Sequence, residues 1–279
     1  MSRIRTIIRP LIGATVVAGS MAILAPAAQA STPVACSENA LVDAINLANT
    51  TVAADTLALA GDCTYNMTSP HGGPTNALPV ITTPIELLGP ATITRASLLL
   101  YRIAEVSSTG SLTLTTSVAL TNGSIVGDGG GILNHGAVTL TVSSLSGNHA
   151  TGNGGGLANA DTPSGTAPAA SFTGSTVSGN STLLSGGGIY NGQRGTLSTT
   201  GVPMDVIGNT AVVNGGGIAA VDSTATTLTG TTVTNNVAVL GGGVYRQGAG
   251  TMTTTNSPIS ANLVNNCAGS NPAVPNCTG

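Results

Sequence analysis

Between residues 111 and 266, apolar and small polar positions alternate in short bursts, each cut by glycine before an amphipathic helix would complete its turns. An aliphatic residue follows each of five Gly triplets: Ile132 after Gly129–Gly131, Leu157 after Gly154–Gly156, Ile189 after Gly186–Gly188, Ile218 after Gly215–Gly217 and Val244 after Gly241–Gly243. Ahead of the later triplets stands aliphatic-x-x-Asn: Leu145 to Asn148, Val177 to Asn180, Val206 to Asn209 and Val233 to Asn236, with Ile259 to Asn262 closing the series. Upstream of each Asn a Thr-x-Thr-like run has the period of two expected of a strand, as in Thr139-Leu140-Thr141, Ser171-Phe172-Thr173, Thr227-Leu228-Thr229 and Thr253-Thr254-Thr255.

Recurrence at roughly 25–32 residues is the signature of a solenoid, whose unit buries its apolar face only when neighbours stack on it. Strands in every unit with so little linker predict a parallel β-helix, an all-β solenoid in which each strand pairs with its counterpart one coil away, about 4.8 Å off. A helical solenoid is excluded, since each Gly inside a helix costs about 1 kcal/mol. Stacking then turns each phrase into a column. Ile132, Leu157, Ile189, Ile218 and Val244 form one inward column and the aliphatics before each Asn a second. Asn148, Asn180, Asn209, Asn236 and Asn262 form an amide ladder at a turn, and Asn134, Asn159 and Asn191 a shorter one.

The chain divides accordingly. Residues 1–30 read as a secretory signal, with Arg3, Arg5 and Arg9 before the apolar run Leu11 to Ala25 and Ala28-Gln29-Ala30 as the cleavage site before Ser31. Residues 31–110 form an N-terminal cap and irregular first rungs, with Ser37 capping a short helix that carries Leu41, Ala44, Ile45 and Ala48 on one face. Residues 111–266 hold the regular repeats, and 267–279 a Cys-containing tail.

Composition narrows the function. There is no Trp, one Phe, and only 6% charged residues. Three of seven basic residues fall in the signal and none of the acids does, so no basic patch remains for nucleic acid or an anionic membrane. No later segment is long and apolar enough to span a bilayer. Four Cys allow three pairings, and the local ones, Cys36 with Cys63 and Cys267 with Cys277, are favoured because a solenoid holds its ends far apart. Export permits such disulfides. His71, His135 and His149 lack ligand spacing, so neither a metal nor a cofactor is assigned.

The Gly-Gly-Gly-aliphatic and aliphatic-x-x-Asn phrases resemble the paired Gly-Gly-Ala-Ile and Phe-x-x-Asn repeats of bacterial polymorphic outer-membrane proteins. Cys36-Ser37, with Leu41, Ala44-Ile45 and Ala48-Asn49, is similar to the CSLREA-type leader of exported β-helix proteins. The resemblance implies a right-handed β-helix outside the cell with an adhesin-like role.

Polysaccharide lyases and glycoside hydrolases built on this fold need clustered carboxylates, usually with Arg or Lys. From Gly127 onward the charged or His residues, Asp128, His135, His149, Asp161, Arg194, Asp205, Asp222 and Arg246, are scattered, and no Asp-Asp pair occurs. Asn134-His135-Gly136 is similar to a polygalacturonase His-Gly element but lacks its partners, so no catalytic residue is assigned. Five of these residues, His135, Asp161, Arg194, Asp222 and Arg246, sit five to eight positions after the start of a triplet and are expected to line one edge. The insertion Asp161 to Ala170 falls there too, which makes that edge the candidate binding face for an extracellular glycan or a surface protein. A third reading comes from Thr139, Ser171, Thr200, Thr227 and Thr253, one expected column, with Thr141, Thr173, Thr229 and Thr255 in another. Such an array resembles the ice-binding face of some β-helical antifreeze proteins, with an interruption expected at Gly201-Val202-Pro203.

Overall fold

The computed structural model describes residues 31–160 and 166–279; the expected signal over 1–30 and Asp161 lie outside the described residues. Four sheets of nine, eight, six and four strands run along the molecule, and the strands of successive coils pair in parallel. The chain is a parallel β-helix. One regular coil passes through Ala137–Thr141, Ser144–Ser146, His149–Ala150 and Leu157–Asn159, one strand from each sheet in turn.

Register turns the repeat phrases into the core. Ile132, Leu157, Ile189, Ile218 and Val244 stand opposite one another on consecutive strands of the six-stranded sheet and are fully buried. On the eight-stranded sheet Leu120, Leu145, Val177, Val206, Val233 and Ile259 form a second buried column. Each aliphatic removed from water this way contributes roughly 1.5–3 kcal/mol. The columns begin earlier than the repeat phrases do. Asp55–Leu59 pairs with Pro84–Leu88, which pairs with Ser111–Thr115, so the nine-stranded sheet crosses residue 110 without a break. In the first coils two fully buried aromatics, Tyr65 and Tyr101, join aliphatics such as Ile85, Leu87 and Ile93 in the interior.

At the corner before the six-stranded sheet the backbones come too close for any side chain. A Cβ on Gly187 would collide with the carbonyls of Gly216, on the next coil, and Thr210, while Gly186 takes φ +74°, which non-Gly residues rarely adopt.

Both ends of the solenoid are covered. Ser37 accepts the N–H of Ala40 at 3.2 Å and starts the helix Glu38–Ala48, whose Leu41, Val42, Ile45 and Ala48 bury against the first coil. The disulfide Cys36–Cys63 ties that helix to the strand Cys63–Met67, and Cys267–Cys277 closes the other end. Two disulfides and no free Cys suit an oxidising compartment.

Three details depart from the sequence reading. The two-residue strands of the four-stranded sheet, between each Asn and its triplet, have no counterpart in the repeat phrases. The residue opposite Ser171 is Ser198, and Thr200 falls one position beyond the strand register of Phe172 with Thr199. Its hydroxyl instead meets that of Thr173 at 3.1 Å, so the neighbouring column continues where an interruption is expected. Finally, Ala169 and Ala170 already belong to the strand Ala169–Thr173, which ends the insertion at Pro168.

Candidate functional site

The expected binding edge follows the ends of the six-stranded sheet, and its residues meet different fates. His135 sits just past the strand Ile132–Asn134, its N–H donating to Val106 O at 2.9 Å and its Nδ1 lying 2.6 Å from Ala160 O. Arg194 and Asp222 are brought together: both are exposed, and the Arg194 N–H donates to the Asp222 carbonyl at 3.2 Å. Arg246 departs from the edge. It stands opposite Ala220, and its guanidinium donates to Gly250 O at 2.6 Å and to Ala273 O at 3.3 Å. The reason is positional, since the C-terminal tail covers this last coil and offers carbonyls that need donors.

Next to Asp222 lies an open groove of about 590 Å³ lined by Asp222, Tyr245, Gln247, Gly248, Asn271 and Pro272. Its far wall comes from the tail, where Gln247 bridges to Asn271 and the Gly248 N–H donates to Asn271 O at 3.2 Å. The Tyr245 hydroxyl donates to Gln247 Oε1 at 3.0 Å. What the groove offers is therefore one carboxylate, two side-chain amides and an aromatic edge. That set suits a neutral, hydroxyl-rich ligand.

Tyr190 shares an outward column with Ala158, Ala219 and Tyr245 on the same sheet. Burial raises the Tyr190 phenol above its ordinary pKa, and the negative charges of Asp128 and Asp222 raise it further. The two carboxylates belong to coils three steps apart, about 14 Å along the axis at ~4.8 Å per coil, wider than the ~5–9.5 Å of a glycosidase pair. Asp128 is engaged elsewhere, with its Oδ1 accepting the Asn153 N–H at 2.5 Å.

One polar cluster has no signal in the repeat pattern. Arg102, buried at the start of the six-stranded sheet, donates to Asn76 Oδ1 at 2.6 Å and pairs with Glu105 at 3.1 Å. Burial lowers its pKa while Glu105 and Asp128 oppose the shift. The cluster pins the loop after the first full coil, and only its tertiary setting reveals it. Among the described residues no three His, Cys, Asp or Glu side chains gather as a metal site, and no helix is long and apolar enough to cross a membrane.

The amide ladders are the most ordered polar feature. Asn148, Asn180, Asn209 and Asn236 each donate from Nδ2 to Oδ1 of the next Asn at 2.9–3.0 Å, and that oxygen also accepts the donor residue's own N–H. A second Nδ2 bond goes back to the coil before, as from Asn209 to Val177 O at 2.9 Å. The shorter ladder runs from Asn134 through Asn159 to Asn191 at 2.7 Å per step and ends on the Thr226 hydroxyl at 2.9 Å. No protein-family model, curated protein or solved structure matches the chain.

Proposed function

We propose that this chain is an exported, extracellular or envelope-associated β-helix that binds rather than catalyses, an adhesin-like scaffold of the kind its repeat phrases resemble. The observation that carries the reading is how its few polar groups are used. Arg246 contacts a backbone carbonyl of the tail, and His135, Asp128 and Arg102 contact backbone carbonyls or amides of neighbouring coils, so they hold loops in place. The groove beside Asp222 is the exception, open and lined by polar groups suited to an extracellular glycan. Disulfides at both ends support a life outside the reducing cytosol.

Glycan-array binding by the purified protein, with any retained glycan then assayed for cleavage with and without Ca²⁺, tests this. The expected result is retention without cleavage, weakened at least tenfold by Asp222→Ala or Gln247→Ala. Cleavage would replace the scaffold by a polysaccharide-active enzyme. Recovery of the protein from the culture medium with Ser31 at its N-terminus tests export.

A second reading, ice binding, draws support from the hydroxyl columns. Thr113, Thr139, Ser171, Ser198, Thr227 and Thr253 stand in register across six strands of the nine-stranded sheet. Thermal hysteresis of the purified protein, abolished by Thr139→Lys on that face, is the outcome this reading requires; freezing behaviour like that of an inert protein removes it.

A further inference from the structure

Where the four-stranded sheet turns into the Gly triplets, the corner of the solenoid carries pairs of aliphatic side chains. They are Leu183 and Leu184, Val212 and Val213, Val239 and Leu240, and Leu263 and Val264. The backbone places the first three pairs on successive coils, with Val213 N–H donating to Leu184 O at 3.0 Å and Leu240 N–H to Val213 O at 3.1 Å, and Leu240 opposite Asn214; Leu263 stands opposite Val237, so the fourth pair lies two positions back toward the four-stranded sheet. All eight residues are 38–75% exposed, in a molecule whose other aliphatic columns are sealed. Two steps earlier the same corner shows Val126, also exposed.

We propose that this strip is the surface on which a second copy of the chain packs, antiparallel, about a two-fold axis near Val213 and Leu240. The inference goes beyond the binding role above and does not depend on what the groove takes. The exposed area of the eight residues is on the order of 700 Å², above the ~300–600 Å² of the largest patch on a typical monomer and near the ~800 Å² per partner of a standard interface.

Its chemistry selects the occupant. Residues 181–185, 210–214, 237–240 and 263–264 include no charged side chain and no aromatic one. Nucleic acid and anionic headgroups find nothing basic there, and a sugar finds neither a ring to stack on nor a charged group to bond. A strip of aliphatic side chains repeating at one coil spacing, slightly staggered from coil to coil, is, by contrast, complementary to itself when reversed. Such an arrangement makes an isologous, closed dimer in which each coil meets a coil of its mate. Ser181, Thr210 and Asn214 beside the strip supply a neutral polar rim without like-charge repulsion.

Sedimentation of the purified protein across a concentration series tests the proposal, with Val213→Lys and Leu240→Glu as variants whose fold is checked by thermal melting. The wild type is expected to sediment as two 27.0 kDa chains, less any signal removed. Each variant is expected to melt like the wild type and to weaken association by about 100-fold, and an equimolar mixture of the two to recover the two-chain mass. A wild type that stays at one chain's mass up to ~100 µM, where a micromolar dimer would be formed, overturns it. So do variants that keep the wild-type mass, a mixture that stays at one chain's mass, or a single-chain wild type that binds neutral phosphatidylcholine vesicles through the same residues.

Discussion

Asn262 donates from Nδ2 to Oδ1 of Asn266 at 3.0 Å, and its own N–H reaches the same oxygen at 3.2 Å. Asn266, four residues on, thus stands in for the next rung of a ladder that has no further coil. The Asn266 carbonyl also accepts the N–H groups of Gly243 and Val244 at 2.9 Å, completing the six-stranded sheet's last strand.

That stand-in is held by its neighbour, Cys267, bonded to Cys277 across a ten-residue separation. Cys277→Ser is therefore expected to lower stability by about 2–3 kcal/mol. Hydrogen exchange gives the sharper test: the amides of Val244 and Asn262 lose protection while those of Ile132 and Leu157 keep theirs, since coils contact only their neighbours. Equal loss at Ile132 and Leu157 would mean that the tail is not acting as an end cap.

In the middle of the ladder, Asn209 accepts from the N–H and Nδ2 of Asn180 and donates to Val177 O and Asn236 Oδ1, all at 2.9–3.0 Å within the core. Asn209→Ala leaves several buried groups unpaired, at about 1–3 kcal/mol each, so a loss of roughly 3–5 kcal/mol is expected in denaturant unfolding. Asn209→Asp is expected to be worse at pH 7 and to recover in part toward pH 4. An aspartate accepts where Asn209 accepts but cannot donate, and it carries a buried charge that protonation removes. A loss below 1 kcal/mol for the Ala variant would show that the stacked amides are replaceable by water.

How far this was legible in the chain follows from what each feature depends on. Ile132, Leu157 and Asn148 recur at fixed offsets from glycine triplets, and a stacked coil converts equal offsets into equal positions, so columns and ladders can be read directly. Thr200 could not be placed, because the Gly201-Val202-Pro203 turn alters where the coil's residues fall and register is a property of pairing. Arg246 comes only five positions after the start of its triplet, opposite Ala220 rather than Asp222, and lies in the last coil, where the tail claims it. The pairs from Leu183-Leu184 to Val239-Leu240 are plain in the sequence, yet a strand two residues long leaves open which way a corner side chain points. Asp222 was found by position alone; its groove exists because Asn271 and Pro272, distant in the repeat, fold over beside it.

Gly187, in a triplet, and Gly208, just before Asn209, offer a contrast between two substitutions that add the same methyl. At Gly187 the added Cβ meets the backbone carbonyls of Thr210 and Gly216, both on the next coil, neither of which can move without breaking sheet pairing. At Gly208, with φ +67°, the added Cβ meets nothing. Gly208→Ala is expected to cost only about 1 kcal/mol, for left-handed backbone in a residue with a side chain. Gly187→Ala is expected to cost at least ~3 kcal/mol or to prevent folding, through overpacking at a rigid contact. Equal melting temperatures for the two variants would contradict the close approach of coils at this corner.

At the opposite end, the carboxylate of Glu38 binds the helix to the loop that follows the strand Cys63–Met67. It accepts the Thr68 N–H at 2.9 Å, the Ser69 N–H at 3.1 Å and the Thr68 hydroxyl at 2.6 Å, with His71 Nε2 at 2.8 Å. Burial alone raises the carboxyl pKa, but the bonds from Thr68, His71 and Ser69 outweigh it and hold the group down at about 2, against an ordinary 4.5. Because the folded value is depressed, the stabilisation is complete above pH ~5 and is lost as pH falls from 4.5 toward 2, amounting to about 1–3 kcal/mol. Glu38→Gln keeps the shape of the side chain but not the charge, so it is expected to lower stability by that amount at pH 7 and to match the wild type at pH 2. Urea unfolding of both proteins at pH 7, 4 and 2 measures the difference. If the gap between them did not narrow with acid, the helix would be held by Cys36–Cys63 and its apolar face, with Glu38 a bystander.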